Sequence, residues 1–310
     1  MPMRAFYYLI KPLIPRWLQI EVRRRLVAYN RGKYVAIWPI DPNSATPPNG
    51  WLGWPNGKRF AIVLQHDVES APGRDKCLQL MDLEEKLGFR SAFCFVPEKY
   101  EVEKSLLDSM RNRGFDICVH GLKHDGKLFM SREIFDRRAV RINHYLKTWG
   151  TKGFTSPSMH HNFRWMHALK IEYATCSFDT DPFEPQPDGV GTIFPFWVAN
   201  GEDTAGYVEL PYTLPQDHSL FVIMQEKTCG IWKQKLDWIA EHGGMVLLNS
   251  HPDYMNFDTR NSRREEYAAR YYSEFLAYIK EKYQHEYWHV LPNQLADHFR
   301  QSVVQNKSAK

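Results

Sequence analysis

The sequence predicts an α/β protein whose main part is a (β/α) barrel of about seven strands, closed or incomplete. From Arg59 onward, short apolar runs alternate with longer segments of helical periodicity. Glycines at 88, 114 and 150 end three successive predicted helices. Polar turns follow the apolar runs, as at the carboxyl ends of parallel strands, in the segments Gln65-His66-Asp67, His120-Gly-Leu-Lys-His124 and His251-Pro252.

Each element is placed by its residue pattern. Apolar and β-branched runs predict strands at 60–64, 92–96, 117–119, 153–155, 174–178, 245–248 and 287–290. Apolar residues at helical spacing predict helices at 75–87, 103–113, 131–149, 162–170, 230–242, 263–283 and 293–303. Between 179 and 227 the alternation stops, and Pro-rich aromatic segments predict a long insert of strands and loops. Such inserts commonly shape the mouth of a binding site.

The N-terminal region differs from the rest in charge. Residues 1–34 hold eight Lys or Arg and one acidic residue, which gives this region a net charge of +7. Because the whole chain has a net charge of +4, the remainder carries −3. Residues 15–30 predict a basic amphipathic helix, which either packs on the barrel or rests on anionic lipid. Residues 41–57 are rich in Pro, Gly and Asn and predict a strap. We expect three regions: arm and strap at 1–57, barrel at 58–304 and tail at 305–310.

Composition excludes several classes of protein. The acidic balance of the main body excludes a basic nucleic-acid-binding surface. No run approaches the ~18 apolar residues of a membrane span. The apolar stretch 5–10 is too short for a signal peptide and is followed by Lys11 and Pro12. Five cysteines form no CxxC pair, so we expect a reduced, cytoplasmic protein, with peripheral contact at the inner face of the membrane if the arm binds lipid.

Asp67, His120 and His124 form the candidate metal site. One carboxylate and two imidazoles suit a divalent cation, and two histidines four apart lie on one side of a helical turn. Alternatively, Asp67 caps a turn and the histidine spacing arises by chance among 13 histidines. His285 and His289 have the same spacing, but their context predicts a strand, on which they would lie ~13 Å apart.

His251 completes the candidate site. It follows the apolar run 245–248, and Pro252 ends that strand and fixes the turn that presents the imidazole. An imidazole here suits an acid or a base, although His-Pro is also ordinary turn material. Together with the metal set it indicates metal-assisted hydrolysis.

These motifs in this order resemble the polysaccharide deacetylase family, carbohydrate esterase family 4, in a variant with His-Asp in the first motif. The resemblance runs from residue 60 to about 255, and 288–299 looks like the terminal strand and helix of the family. It implies a deformed (β/α) barrel that removes N-acyl groups from amino sugars of a glycan or of a lipid- or nucleotide-linked sugar, using a divalent metal, usually zinc. Asp67, His120 and His124 would bind the metal, and His251 would be the general acid.

Two motifs depart from the family pattern. The first motif usually has two adjacent Asp, of which the first is the base; here His66 takes that place, and Glu69 is a substitute candidate. The family's third motif corresponds to residues 155–159 of this chain and usually carries an Arg, which holds the base, and a Gly. Both are missing here, so His160 or His161 would have to compensate for the Arg. The departures leave open a degenerate carbohydrate- or lipid-binding protein and, within the superfamily, a hydrolase of cyclic ureides or imides.

The insert supplies candidates for two further roles: an aspartate that pairs with the general acid, and aromatic residues that contact the substrate. The resemblance places an Asp that pairs with the acid near Asp179 and Asp181, and the sequence does not choose between them. Four aromatic residues are candidates for stacking on sugar faces, with core packing as the alternative: Phe196, Trp197, Tyr212 and Tyr254.

Overall fold

A computed structural model describes residues 14–201, 205–258 and 263–308. Residues 1–13 of the expected arm and 309–310 of the expected tail lie outside this part of the chain. The strands in it are β1 Phe60–Val68, β2 Ala92–Phe95, β3 Asp116–His120, β4 Gly153–Thr155, β5 Tyr173–Ala174, β6 Phe196–Ala199, β7 Gly206–Glu209, β8 Met245–Ser250, β9 Met255–Asn256, β10 Tyr267–Ala268 and β11 Tyr287–His289.

One curved sheet holds most of these strands. They lie side by side in the order β11-β1-β2-β3-β4-β5-β7-β6, and β8 also pairs with β1. All pairs in the sheet are parallel except β6 with β7. Beyond β7, Thr213 N donates to Leu247 O at 3.2 Å, which brings the chain back to β8. The predicted deformed (β/α) barrel is therefore confirmed.

Helices cover the outside of this sheet. They are α1 Arg16–Arg31, α2 Ala71–Asp75, α3 Cys77–Leu87, α4 Lys104–Asn112, α5 Arg132–Thr148, α6 Phe163–Met166, α7 Gly230–His242, α8 Arg270–Lys282 and α9 Pro292–Ser308. The helix predicted from 263 begins only at Arg270, because Tyr267 N donates to Tyr254 O at 2.8 Å and pairs β10 with β9. None of the helices in the described ranges has the length and apolarity needed to cross a bilayer.

Strand β1 begins with five apolar residues in succession because it lies in the core of the protein. All nine of its residues are buried, since one side faces the barrel interior and the other faces helices. Burial of each Val, Leu, Ile or Phe side chain stabilises the fold by about 1.5–3 kcal/mol. All five cysteines are buried and unpaired.

The insert and the arm meet on one side of the barrel. The insert contributes the hairpin β6–β7 and a π-helical turn, His218–Ile223. The arm helix α1 buries Ile20 and Val27, and Arg24 Nε donates to Val222 O at 3.0 Å. Because π-helical turns are frequent at functional sites, the region around residue 218, which α1 contacts, is a candidate part of such a site.

Candidate active site

The three predicted segments come together at one edge of the barrel. β8, β1, β2 and β3 are parallel neighbours, and their carboxyl ends open at the same edge. Side chains from these ends line a cavity of about 470 Å³, within the range of small-molecule sites. The lining includes Asp67, Glu69, His120, His124 and His251.

Glu69, His120 and His124 form the tightest group of metal-type ligands in this cavity. One ligand atom from each of the three residues lies within 4.8 Å of the other two. Glu69 Oε1 is 2.8 Å from His124 Nε2, and the two imidazole rings are 5.1 Å apart centre to centre. Burial would raise the pKa of Glu69, but the charges of His124 and His251 and a hydrogen bond from Tyr254 hold it well below the usual range. The cluster thus offers an ionised carboxylate between two imidazoles.

The ring of His120 indicates that a ligand belongs here. The residue is 1 % exposed, and neither ring nitrogen has a hydrogen-bond partner among the described residues. Burial lowers the pKa of His120 well below its usual value, so the ring is neutral and has a free lone pair. An unpaired buried polar group costs about 1–3 kcal/mol, which a coordinated cation would offset. The donor set and the unpaired nitrogens fit a divalent cation.

The turn after β3 places His124. A helical turn was predicted for the two histidines, and this was wrong: β3 ends at His120, and His124 lies in an irregular turn with φ of 54°. Gly121 in the same turn has φ of 60°, and a Cβ there would lie 2.5 Å from Pro157 Cδ. A left-handed non-glycine residue costs about 1–3 kcal/mol and is typical of functional sites. The packing of Gly121 on Pro157 holds this conformation.

Asp67 lies beside the cluster. Its Oδ1 is 3.7 Å from His120 Nδ1, and its Oδ2 accepts a hydrogen bond of 3.0 Å from Asn249 Nδ2. Burial raises the pKa of Asp67 to about 6, although the charge of His251 opposes this shift. Both carboxylates, Asp67 and Glu69, therefore face the same cavity, and Glu69 has the closer contact with the histidines.

His251 is paired with Asp217, a residue that the sequence did not single out. His251 Nδ1 is 2.6 Å from Asp217 Oδ1, and the backbone N of His251 donates to Oδ2 at 2.7 Å. Tyr267 donates a further hydrogen bond of 3.0 Å to Oδ2. Burial alone would lower the pKa of His251, but the charge of Asp217 and its hydrogen bond outweigh burial and raise it to about 10. The imidazole is thus protonated at neutral pH and faces Glu69 through Nε2 at 4.0 Å.

Asp179 and Asp181 are not the partners of His251, which corrects the expectation from the resemblance. Asp179 accepts from Lys235 Nζ at 2.9 Å, and both side chains are buried. Asp181 Oδ1 accepts from the backbone N of Phe183 at 3.0 Å. Burial, helped by the charge of Glu184, raises the pKa of Asp181 to about 8. Both aspartates follow β5, whereas the pairing position is reached by the later segment that leads into the π-helical turn.

His66 lies behind the site rather than in it. Its Nδ1 is 2.9 Å from Ser250 Oγ, its Nε2 is 2.9 Å from Glu84 Oε1, and its side chain is fully buried. The reason is the period of two along β1, which points Gln65 and Asp67 to one face and His66 to the other. This alternation was available in the sequence. Both ring nitrogens are already engaged, so the position does not favour His66 as a base.

The segment around the third motif, residues 155–161, supplies side chains to the lining of the cavity. Ser156 lines the cavity, and its buried Oγ has no hydrogen-bond partner among the described residues. His160 also lines the cavity, whereas His161 Nε2 lies 3.4 Å from Asp188. His218, from the insert, lines the cavity too, and its Nε2 is buried and unpaired in the described part of the chain. No sequence pattern identified Ser156 or His218.

Only one of the four aromatic residues predicted to stack on sugar faces lines the cavity. Tyr254 lines the cavity and donates to Glu69 Oε2 at 2.6 Å. Tyr212 is a core residue whose hydroxyl accepts from Gln65 Nε2 at 2.7 Å. Phe196 and Trp197 lie on β6 and are not among the residues that line the cavity. Only Tyr254 of these four is in a position to contact a bound ligand.

The structure also excludes His285 and His289 as a metal-binding pair. His289 is on β11, as its context predicted, and its Nε2 accepts from the backbone N of Arg90 at 2.8 Å. His285 precedes that strand and is not on a helix. A peptidase-type HExxH site requires a helix, so this pair is structural.

Comparison with known proteins supports the fold. No protein-family model and no curated relative matches the sequence. Among solved structures, a protein assigned as a polysaccharide deacetylase from Mycobacterium smegmatis superposes with a TM-score of 0.60 at 18 % identity, covering 82 % of this chain and 94 % of its own. Another so assigned, from Pseudomonas aeruginosa PAO1, gives 0.61 at 16 % identity, covering 83 % and 95 %.

An allantoinase, Puue, has the same fold. It superposes with a TM-score of 0.63 at 15 % identity, covering 84 % of this chain and 97 % of its own. At these identities the similarity establishes a common barrel and leaves the chemistry to the site residues. The predicted resemblance to polysaccharide deacetylases is confirmed at the level of the fold.

Proposed function

We propose that this protein is a metal-dependent hydrolase of the polysaccharide deacetylase type that removes an N-acyl group from an amino sugar. The observation that carries the proposal is a single cavity that holds Glu69, His120 and His124 next to a protonated His251. Two barrels of the same fold are assigned as polysaccharide deacetylases, which supports this substrate class. The ligand set of one carboxylate and two imidazoles suits zinc.

Glu69, His120 and His124 would hold the cation. When bound, a divalent cation lowers the pKa of a coordinated water and polarises the acyl carbonyl. Asp67 is then the general base, in place of the His66 or Glu69 considered from the sequence. Its carboxylate lines the cavity 3.7 Å from His120 Nδ1, and Asn249 holds it in place by a hydrogen bond of 3.0 Å.

His251 is the general acid. The departing amine is a poor leaving group unless it receives a proton, and the imidazolium of His251 supplies one from Nε2 on the cavity side. Asp217 orients the ring through Nδ1 at 2.6 Å and stabilises its charge. Because Asp217 also binds the backbone N of His251, the ring is fixed relative to β8.

Buried polar atoms without partners in the described chain are candidates for substrate contacts. Ser156 Oγ and His218 Nε2 line the cavity and would each gain a hydrogen bond from sugar hydroxyl groups. Tyr254 lines the same cavity beside Glu69 and offers a ring face to a sugar.

Metal content and acetate release test the proposal together. Glu69→Gln and His124→Ala should each lower bound zinc from about one ion per chain to a small fraction, because each removes one of three protein ligands. Asp67→Asn should retain the metal and lose hydrolysis of N-acetyl amino sugars. The matched control is His144→Ala, at an exposed histidine on α5.

Two outcomes would contradict parts of this proposal. Loss of zinc in Asp67→Asn with retention in Glu69→Gln would exchange the roles of the two carboxylates. A metal-loaded protein that binds acetylated sugars and releases no acetate with any of several divalent metals would identify the degenerate carbohydrate-binding alternative.

A second candidate is hydrolysis of a cyclic ureide, which is favoured by the fold shared with the allantoinase. The two activities attack related amide bonds, so the same cavity groups would serve both. Including allantoin in the substrate panel separates them: ring opening without acetate release from any amino sugar would favour the ureide.

A further inference from the structure

A row of exposed apolar side chains runs along α1, which we call the apolar stripe: Leu18, Val22, Leu26 and Tyr29. Their exposed fractions are 37 %, 49 %, 56 % and 75 %. Spacings of four, four and three residues put them on one side of the helix, opposite the buried Ile20 and Val27. Exposed apolar side chains in contiguous rows mark interaction surfaces.

The apolar stripe continues into the cavity. Val22 and Leu26 belong to the stripe and also line the cavity, next to Gln19 and Arg23 of the same helix. The arm helix therefore forms one wall of the site, and its apolar side leads from the cavity mouth to the outer surface. A ligand that follows this path would have a polar group inside and an apolar part outside.

The charges around the apolar stripe favour an anionic surface. Residues 14–35 hold six Lys or Arg and one acid. Three of the arginines pair with glutamates outside the helix, so the other three basic residues and the one acid leave this segment a net charge of +2. Arg25, which pairs with Glu21 of the same helix, has 81 % of its side chain accessible and lies at the edge of the stripe, one turn from Tyr29. Lys33 Nζ lies 4.4 Å from the centre of the Tyr29 ring, at the end of the stripe. A cationic border around aromatic and aliphatic side chains is the pattern of helices that lie in a membrane interface.

Ion pairs fix α1 in this position. Arg16, Arg23 and Arg31 pair with Glu265, Glu184 and Glu226 of the barrel and its insert. Because the helix is anchored on one side by these pairs and by Ile20 and Val27, its apolar stripe has a fixed orientation relative to the cavity.

We infer that α1 seats the protein on an anionic bilayer and that the substrate is an amphiphile. Its acylated amino sugar enters the cavity, and its hydrocarbon part leaves along the apolar stripe into the lipid. The substrate part of this inference rests on the proposed hydrolase function; the membrane part does not.

Vesicle binding by the full chain tests the membrane part. Sedimentation with vesicles of phosphatidylcholine and phosphatidylglycerol should show binding that weakens with salt and with removal of the anionic lipid. The double variant Leu18→Gln/Tyr29→Gln should bind at least about tenfold more weakly, because two apolar side chains no longer enter the interface. The matched control is Leu78→Gln/Val140→Gln, at two exposed apolar positions on α3 and α5.

Kinetics on two substrates test the amphiphile. Leu18 and Tyr29 do not line the cavity, so their double variant should keep wild-type kcat/KM on a soluble N-acetyl amino sugar. Its rate on an N-acetyl amino sugar linked to a lipid in vesicles should fall about tenfold, in proportion to the binding.

The outcomes separate the two proposals. Wild-type protein that fails to bind anionic vesicles, or equal binding by both double variants, overturns the membrane role of α1 whatever the enzyme hydrolyses. A concentration-dependent dimer that dissociates only in the Leu18→Gln/Tyr29→Gln variant overturns it in favour of a second copy of this chain. Normal vesicle binding without hydrolysis of any sugar leaves the docking surface in place and refutes the proposed function.

Discussion

The buried pair Asp179–Lys235 allows a direct test of whether Asp179 has a structural role, as its contacts indicate, or a catalytic one. Lys235 on α7 places Nζ 2.7 Å from Asp179 Oδ2, and each side chain is only 1 % exposed. Lys235→Met removes the positive charge and keeps most of the apolar stem. We expect a large loss of stability, because an unpaired carboxylate is left in the core.

The magnitude follows from the burial of Asp179. Breaking a buried pair costs about 3–5 kcal/mol. Burial already raises the pKa of Asp179 to about 6 although Lys235 opposes this, so without the lysine the carboxyl takes up a proton near neutral pH. Proton uptake limits the penalty to about 3 kcal/mol at pH 7.5. With an unfolding entropy of about 2.1 cal/mol/K per residue over 310 residues, the melting temperature falls by about 5 °C.

The pH dependence has a definite sign. A carboxyl whose pKa is raised by folding binds its proton more tightly in the native state, so its destabilising effect grows as pH rises from about 4 through 6. At pH 5, Asp179 is largely protonated in the native state with or without Lys235. The penalty of Lys235→Met should therefore be smaller at pH 5 than at pH 7.5.

Urea unfolding of a double-mutant cycle measures these terms. The proteins are wild type, Lys235→Met, Asp179→Asn and the double variant, each at pH 5 and pH 7.5. We expect the double variant within about 1 kcal/mol of wild type, since replacing both charges removes the desolvation cost together with the attraction. Acetate release by the folded single variants should stay close to wild type.

Two results would refute this. Additive losses, with a coupling energy below about 0.5 kcal/mol, would mean that the two charges do not interact. A stable Asp179→Asn protein without activity would return Asp179 to the role of partner for the catalytic acid.

Two further variants test the other corrected roles. Asp217→Asn should lower kcat by about 10²–10⁴ and move the alkaline limb of the pH–rate profile down from near pH 10. The reason is that His251 loses the negative charge that raises its pKa against the effect of burial. An unchanged alkaline limb would contradict the pairing of His251 with Asp217. His66→Ala should lower the free energy of unfolding by about 2–3 kcal/mol, because the buried carboxylate of Glu84 loses its imidazole partner and keeps the hydroxyl donors of Ser91 and Tyr272. The folded variant should keep its activity; a stable, inactive variant would restore His66 as the base.

Much of the site was predictable because it lies on parallel strands. The last residues of β1 and β3 and the turns after β3 and β8 place Asp67, His120, His124 and His251 at one edge of the barrel. The barrel fold and the exclusion of the His285/His289 pair follow from the same local patterns. Alternation along β1 also contained the information that His66 faces away from Asp67.

The partners of these residues were decided only by the tertiary structure. Asp217 lies 34 positions before His251 and reaches it through an irregular insert whose path has no periodic signature. The preference for Glu69 over Asp67 in the histidine cluster depends on a left-handed turn at His124 that the packing of Gly121 on Pro157 holds. The sequence by itself determined which residue types gather at the strand ends, because strand order and alternation are local properties. Which of them touch is a matter of long-range packing, since distances of a few ångströms between distant segments depend on the whole barrel.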